Sequence, residues 1–85
     1  MDQPVGADAE SKLIAILKVL SESSEPLGST TIARRLAQEG VFLSERAVRY
    51  HLKIADERGF TQPGGRDGRT LTPEGRQEVK EALAP

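Results

Sequence analysis

Apolar residues recur along this chain at helical intervals, and the runs break where glycine, proline and small polar residues gather. Leu13, Ile16, Leu17 and Leu20 form one stripe of a first helix, with Lys12, Lys18 and Glu22 outside it. Asp8 or Ser11 opens that helix. Ile14 and Val19 widen its apolar arc beyond what a three-helix core requires, so one flank is expected to meet the C-terminal segment or a partner subunit. Glu22 to Gly28 is a polar loop, in which Leu27 lies between Pro26 and Gly28 as a short extended residue dipping into the core. Ser29 is the expected N-cap of a second helix with Ile32, Ala33 and Leu36 buried, and Gly40 ends it where a left-handed conformation costs little. Val41-Phe42-Leu43 is an apolar turn, and Ser44 caps a third helix whose inner face is Val48, Leu52 and Ala55.

Helix, three-residue apolar turn, helix is helix-turn-helix spacing. Gly59 terminates the third helix. Phe60-Thr61-Gln62 and Arg69-Thr70-Leu71 then flank the turn-rich Pro63 to Gly68, which predicts a β-hairpin, a wing, with a six-residue tip and with Phe60 and Leu71 as inward anchors. Thr72-Pro73-Glu74 starts a last helix by the N-cap, proline-first, acid-in-first-turn pattern, with Val79, Ala82 and Leu83 as its stripe. The expected fold is α+β, a winged helix-turn-helix with a three-helix core, a β-hairpin wing and a C-terminal helix. Leu13, Leu17, Leu20, Ile32, Leu36, Val48, Leu52, Phe60 and Leu71 should share its core. Residues 1–7, with Pro4 and Gly6 and no periodicity, read as a disordered lead-in, and residues 8–85 as one domain.

The outward face of the third helix carries Arg46, Arg49, Tyr50 and Lys53. A charged helix face is usually only solvated, but inside a helix-turn-helix with a wing it has the profile of a DNA recognition helix, where arginine can bond guanine and lysine or tyrosine can hold phosphates. Ser44 caps the helix and can also offer its hydroxyl to a phosphate. Thr30, Thr31 and Arg34, at the start of the second helix, are candidates for the phosphate backbone that the first helix of such a pair crosses. Arg66 and Arg69, among the wing glycines, suit a minor groove or phosphates, Arg66 the more so. His51 lies about 60° from the buried centre of its helix and reads as a packing or boundary residue.

Composition narrows the function without deciding it. The net charge is −1, which argues against nucleic acid taken at face value. Acidic residues outnumber basic ones up to Leu43, however, and basic ones prevail from Ser44 to Arg76. Local potential governs phosphate binding more than the sum does. At 85 residues the chain holds one small core and no deep enzyme cleft. The acid pairs Asp56-Glu57 and Glu22/Glu25 are expected at exposed positions, and no nucleophile stands beside a base, so an enzyme is not expected. With no cysteine and one histidine, neither a metal nor a cofactor is expected. The longest apolar run, Leu13 to Leu17, is far too short to span a bilayer, and the start lacks the basic residues of a signal peptide, so a soluble, cytoplasmic protein is expected.

Ser29-Thr-Thr-Ile-Ala-Arg-Arg-Leu36, Ser44-Glu-Arg-Ala-Val-Arg-Tyr-His-Leu52, Arg58-Gly-Phe60 and Leu71-Thr-Pro-Glu-Gly-Arg76 together resemble the winged-helix domain at the N-terminus of nitrogen-regulation repressors of methanogens and their bacterial relatives, a family also associated with ribonuclease R. The resemblance runs from about Ser11 to Leu83. It implies operator binding, usually as dimers, with an effector-sensing domain further along the chain. The leading expectation is therefore sequence-specific binding of double-stranded DNA by a module of a transcriptional repressor, with a homodimer possible in the full-length protein. Two alternatives stand beside it. A protein-protein assembly module would suit the net negative charge and the wide apolar arc of the first helix. An accessory RNA-binding domain of a nuclease would suit the ribonuclease R association, although exposed aromatics for stacking are scarce.

Overall fold

Among the described residues, four helices and one hairpin follow in the predicted order: α1 (Val5–Ser21), α2 (Ser29–Gln38), α3 (Glu45–Glu57), β1 (Thr61–Gly64), β2 (Gly68–Leu71) and α4 (Pro73–Ala82). The structure is a computed structural model that describes residues 5–66 and 68–84. α1 begins earlier than Asp8 or Ser11 and takes in Val5, Gly6 and Ala7. The amides of a first helical turn have no partner within the helix in any case, so Gly6 costs little there. Residues 1–4 of the expected lead-in lie outside the described residues.

Local chemistry fixes most of the remaining ends. Ser44 Oγ accepts from the Ala47 amide at 3.0 Å, and Thr72 Oγ1 accepts from the Gly75 amide at 3.0 Å, so both predicted caps close their helices. Gly40 and Gly59 have φ of 83° and 79°. Behind each, the next amide reaches back to the last full turn, Val41 to the Leu36 carbonyl and Phe60 to the Ala55 carbonyl, both at 2.9 Å. The start of α2 differs from expectation. Gly28 is its extended N-cap, its carbonyl already accepting from the Ile32 amide at 3.0 Å, while Ser29 is the first helical residue and no side chain caps the end.

α1 is the central helix, packed by α2, α3, α4 and β2. That position explains its wide apolar arc: Leu13, Ile16, Leu17, Val19 and Leu20 are all buried, with Ile14 half-buried, and α4 covers the flank that a partner subunit was the other candidate to cover. Ile32, Leu36, Val48, Leu52 and Leu71 complete the expected core, whereas Phe60 is only half-buried at its edge. Leu27, Ala55 and Val79 join it. Ala82 and Leu83, expected on the inner stripe of α4, are exposed, because α4 meets the core through its first two turns and then runs past it. Phe42 is 80% exposed, between the half-buried Val41 and Leu43.

The wing is shorter at its tip than predicted. Antiparallel pairing runs from Thr61 opposite Leu71 to Gly64 opposite Gly68, so Pro63, Gly64 and Gly68 belong to strands and the turn begins at Gly65, with φ of 65°. Proline is tolerated in β1 because that strand is an edge. Leu27 adds a further bridge on the other side of β2, exchanging hydrogen bonds of 3.1 and 2.9 Å with Arg69. Gly68 makes this layering possible: a Cβ there would lie 2.8 Å from both the Gly64 carbonyl oxygen and Pro26 Cβ.

Candidate nucleic-acid interface

Burying Val48, Leu52 and Ala55 leaves the opposite face of α3 in solvent, and the structure places Arg46, Arg49, Tyr50 and Lys53 there, all exposed. His51 packs on the inner side at 9% exposure, its Nδ1 donating to the Ala47 carbonyl at 2.9 Å and its ring edge-on to Tyr50. Its role is packing.

A groove of about 580 Å³ lies where α3, the start of α2 and the wing converge, lined by Ser29, Arg49, Leu52, Lys53, Asp56 and Arg69. Arg49 and Lys53 from the helix therefore share one concave surface with Arg69 from the wing. Arg66 stands apart. It lines a second, shallower groove of about 500 Å³ with Glu25, Pro26, Gly28 and the wing glycines. Ser44 lies at the N-terminus of α3 with its oxygen already accepting the Ala47 amide, which leaves the hydroxyl proton available to an anion. Arg34 is exposed and Thr31 half-buried on α2. Thr30 is not a free hydroxyl: its Oγ1 donates to Glu45 Oε1 at 2.6 Å and so joins the beginnings of α2 and α3.

Two acidic residues in this region escaped the sequence reading. Asp56, expected at an exposed position, is partly buried and accepts from Thr61 Oγ1 and from Arg69 Nε, the latter at 3.2 Å to each carboxylate oxygen. One carboxylate of α3 thus holds both strands of the wing. Arg69 spends a further N–H on the Gly68 carbonyl at 3.2 Å, so it is far less free than a tip arginine. Glu45, the second residue, opens α3 beside Thr30. Neither was visible as a site residue, because each becomes one only through a partner remote in sequence.

The carboxylate of Asp56 sits about two-thirds shielded from solvent in its ion pair, so its loss should be felt. Asp56→Asn keeps an acceptor for Thr61 but removes the charge facing Arg69. Urea unfolding should show a loss of about 1–2 kcal/mol, with faster amide exchange in the wing than in α1. A wing as protected as the parent's would show that Asp56 does not hold it.

Residues 14–79 match the ribonuclease R winged-helix domain, which is most of the chain. The chain belongs to that family. Within this family of winged helices it is similar to the global nitrogen regulator NrpRI of Methanosarcina mazei, at 53% identity over 74 residues, 87% of this chain and 23% of that protein. It is also similar to the global nitrogen regulators NrpR of Methanocaldococcus jannaschii, 46% identical over 76 residues, and of Methanococcus maripaludis, 45% identical over 69 residues. These alignments cover 89% and 81% of this chain but 14% and 13% of the relatives. The chain thus spans less than a quarter of the length of the regulators it matches. No solved structure matches it. Among the described residues, no helix is long and apolar enough to cross a membrane.

Proposed function

We propose that this winged helix binds double-stranded DNA in a sequence-specific manner, as the N-terminal module of a cytoplasmic transcriptional repressor, and that it is not an enzyme. The observation that carries the reading is the groove between α3 and the wing, where Arg49 and Lys53 converge beside the start of α2 with Arg69, whose guanidinium is held by Asp56. Cations from two elements around one concavity suit a phosphate backbone, while the exposed Arg46, Arg49 and Tyr50 suit the base edges and sugar-phosphate walls of a major groove. The relatives' names, global nitrogen regulators, favour transcriptional control as the purpose of such binding. Ser44, Thr31 and Arg34 offer their polar groups to the phosphate strand, Thr30 stands among them with its hydroxyl given to Glu45, and Arg66 extends the contact from the wing tip. A single module touches one half-site, so the whole regulator acts as a homodimer whose second copy multiplies affinity through effective concentration.

Helix and wing divide the labour. Arg49 rises from a helix packed on the core and can be aimed at a base, whereas Arg66 stands on a glycine-flanked turn and takes whatever phosphate it meets. In competition binding, Arg49→Ala should relax base preference by about 1–3 kcal/mol. Arg66→Ala should weaken all duplexes alike and lower the slope of log K against log salt by about 1. Equal loss of specificity in both variants would contradict the division.

The wide apolar arc of α1, which would have favoured a protein partner, is taken up within the chain by α4. Single-stranded RNA draws some support from the exposure of Phe42 together with Tyr50, at 80% and 63%, because bases stack on such rings. Competition between a duplex and an RNA strand of the same sequence separates the two readings. Duplex DNA should displace the bound probe at the lower concentration.

A further inference from the structure

We propose that Glu45 reads a cytosine in the major groove and that Thr30 orients it to do so. The inference deepens the DNA-binding reading and rests on it. Glu45 is the first residue of α3, and it is the N-terminal residues of a recognition helix that contact base edges. On the helical wheel it lies about 40° from Arg49, four residues on, and therefore on the same flank of the exposed face.

An exposed glutamate ordinarily samples many rotamers, and ordering it on binding costs entropy. Here the hydroxyl of Thr30 fixes one carboxylate oxygen at 2.6 Å from a different helix, so much of that cost is met before any ligand arrives. The second oxygen has no hydrogen-bond or ion-pair partner among the described residues. It is an acceptor only. Among the major-groove edges, cytosine offers an amino donor flanked by a C–H, whereas the amino group of adenine stands beside the N7 acceptor, which repels a carboxylate, and guanine and thymine present acceptors.

The charge makes the same argument from the other side. A carboxylate on a face that approaches phosphates opposes binding to any duplex, so its presence weakens non-specific affinity and is offset only where a base donor meets it. A purely structural role, tying α2 to α3, would carry no such signature. Loss of a structural tie would weaken every duplex together.

The test is selection from a randomised duplex pool by the 85-residue chain at low salt, with sequencing of the retained DNA, for the parent, Glu45→Gln, Glu45→Ala and Thr30→Val. The parent should enrich cytosine at one position by about tenfold, the low end of what a good base contact discriminates. Glu45→Gln should lose that enrichment in favour of adenine, which glutamine can bond at both N6 and N7. Glu45→Ala should lose it without replacement, and both variants should bind a scrambled duplex about twofold to threefold more tightly because an opposing charge is gone. Thr30→Val should reduce the enrichment severalfold. The same cytosine preference in the parent and both Glu45 variants would overturn the proposal, as would weaker binding of both variants to scrambled and selected duplexes alike. If the parent retained no duplex at all, the DNA-binding reading itself would fall, and that result is distinct from an unchanged preference.

Discussion

Leu52→Ala is expected to remove about 2–5 kcal/mol of stability, the cost of emptying a buried leucine site. Leu52 is 5% exposed and packs from α3 into the shared core, while it also lines the groove beside Arg49 and Lys53. The truncation therefore leaves a cavity directly under the proposed contact surface, and neighbouring helices can collapse into it only by moving α3. For a domain of this size each kcal/mol lowers Tm by about 4–8 °C, so the loss should exceed about 8 °C in a thermal melt followed by far-UV circular dichroism. A variant that melted with its parent would show that the face of α3 assigned to the core is wrong. The exposed substitution Arg46→Ala, on the opposite face, should change Tm by no more than a few degrees.

Gly75→Ala should be the second costly change, in spite of its chemistry. Alanine is the better helix former by about 1 kcal/mol, so propensity alone predicts a gain at this position in α4. Packing opposes it. A Cβ at position 75 would lie 2.0 Å from the Phe60 carbonyl oxygen and 3.1 Å from Leu71 Cδ2. The carbonyl cannot simply yield, because it accepts the Thr72 amide at 3.0 Å, the residue that caps α4. Either α4 lifts from the hairpin or the cap breaks, and the net loss should be about 2–3 kcal/mol. Amide exchange should accelerate first in α4 and around Phe60. A more stable variant would mean that α4 does not pack against this carbonyl.

These two positions show what could be read from the chain and what could not. Leu52 is legible because a helical stripe is a property of spacing, and Ser44, Thr72, Gly40 and Gly59 are legible because caps and left-handed turns depend on neighbours within a few residues. Gly75 carries no such signal. Its need for a bare Cα arises from a carbonyl fifteen residues back in the chain, brought close only by the fold. The same holds for Gly68, read from sequence as a flexible tip residue and found as the surface on which Pro26 packs. Ala82 and Leu83 continue a stripe that the core stops short of meeting, since periodicity gives the face of a helix but not the length of its contact.

The candidate site divides in the same way. Arg46, Arg49, Tyr50 and Lys53 could be placed on one face by helix geometry, and the structure puts them there. That Arg49 and Lys53 share a groove with Arg69, that Arg66 does not, and that Asp56 fastens the wing to α3 are consequences of how the hairpin sits on the helix. Equally, Phe42 reads as part of an apolar turn and stands almost wholly in solvent. Its neighbours Val41 and Leu43 take the inward positions.

Titration of the isotopically labelled 85-residue chain with a mixed-sequence duplex at low salt, followed by amide chemical shifts, tests the central claim most directly. Shifts should concentrate in α3, at the start of α2 and in the wing, leave α1 and the end of α4 nearly unmoved, and recede as salt rises and counterion release is suppressed. Shifts confined to α1 and α4, or none at low salt, would contradict the claim that this face binds DNA.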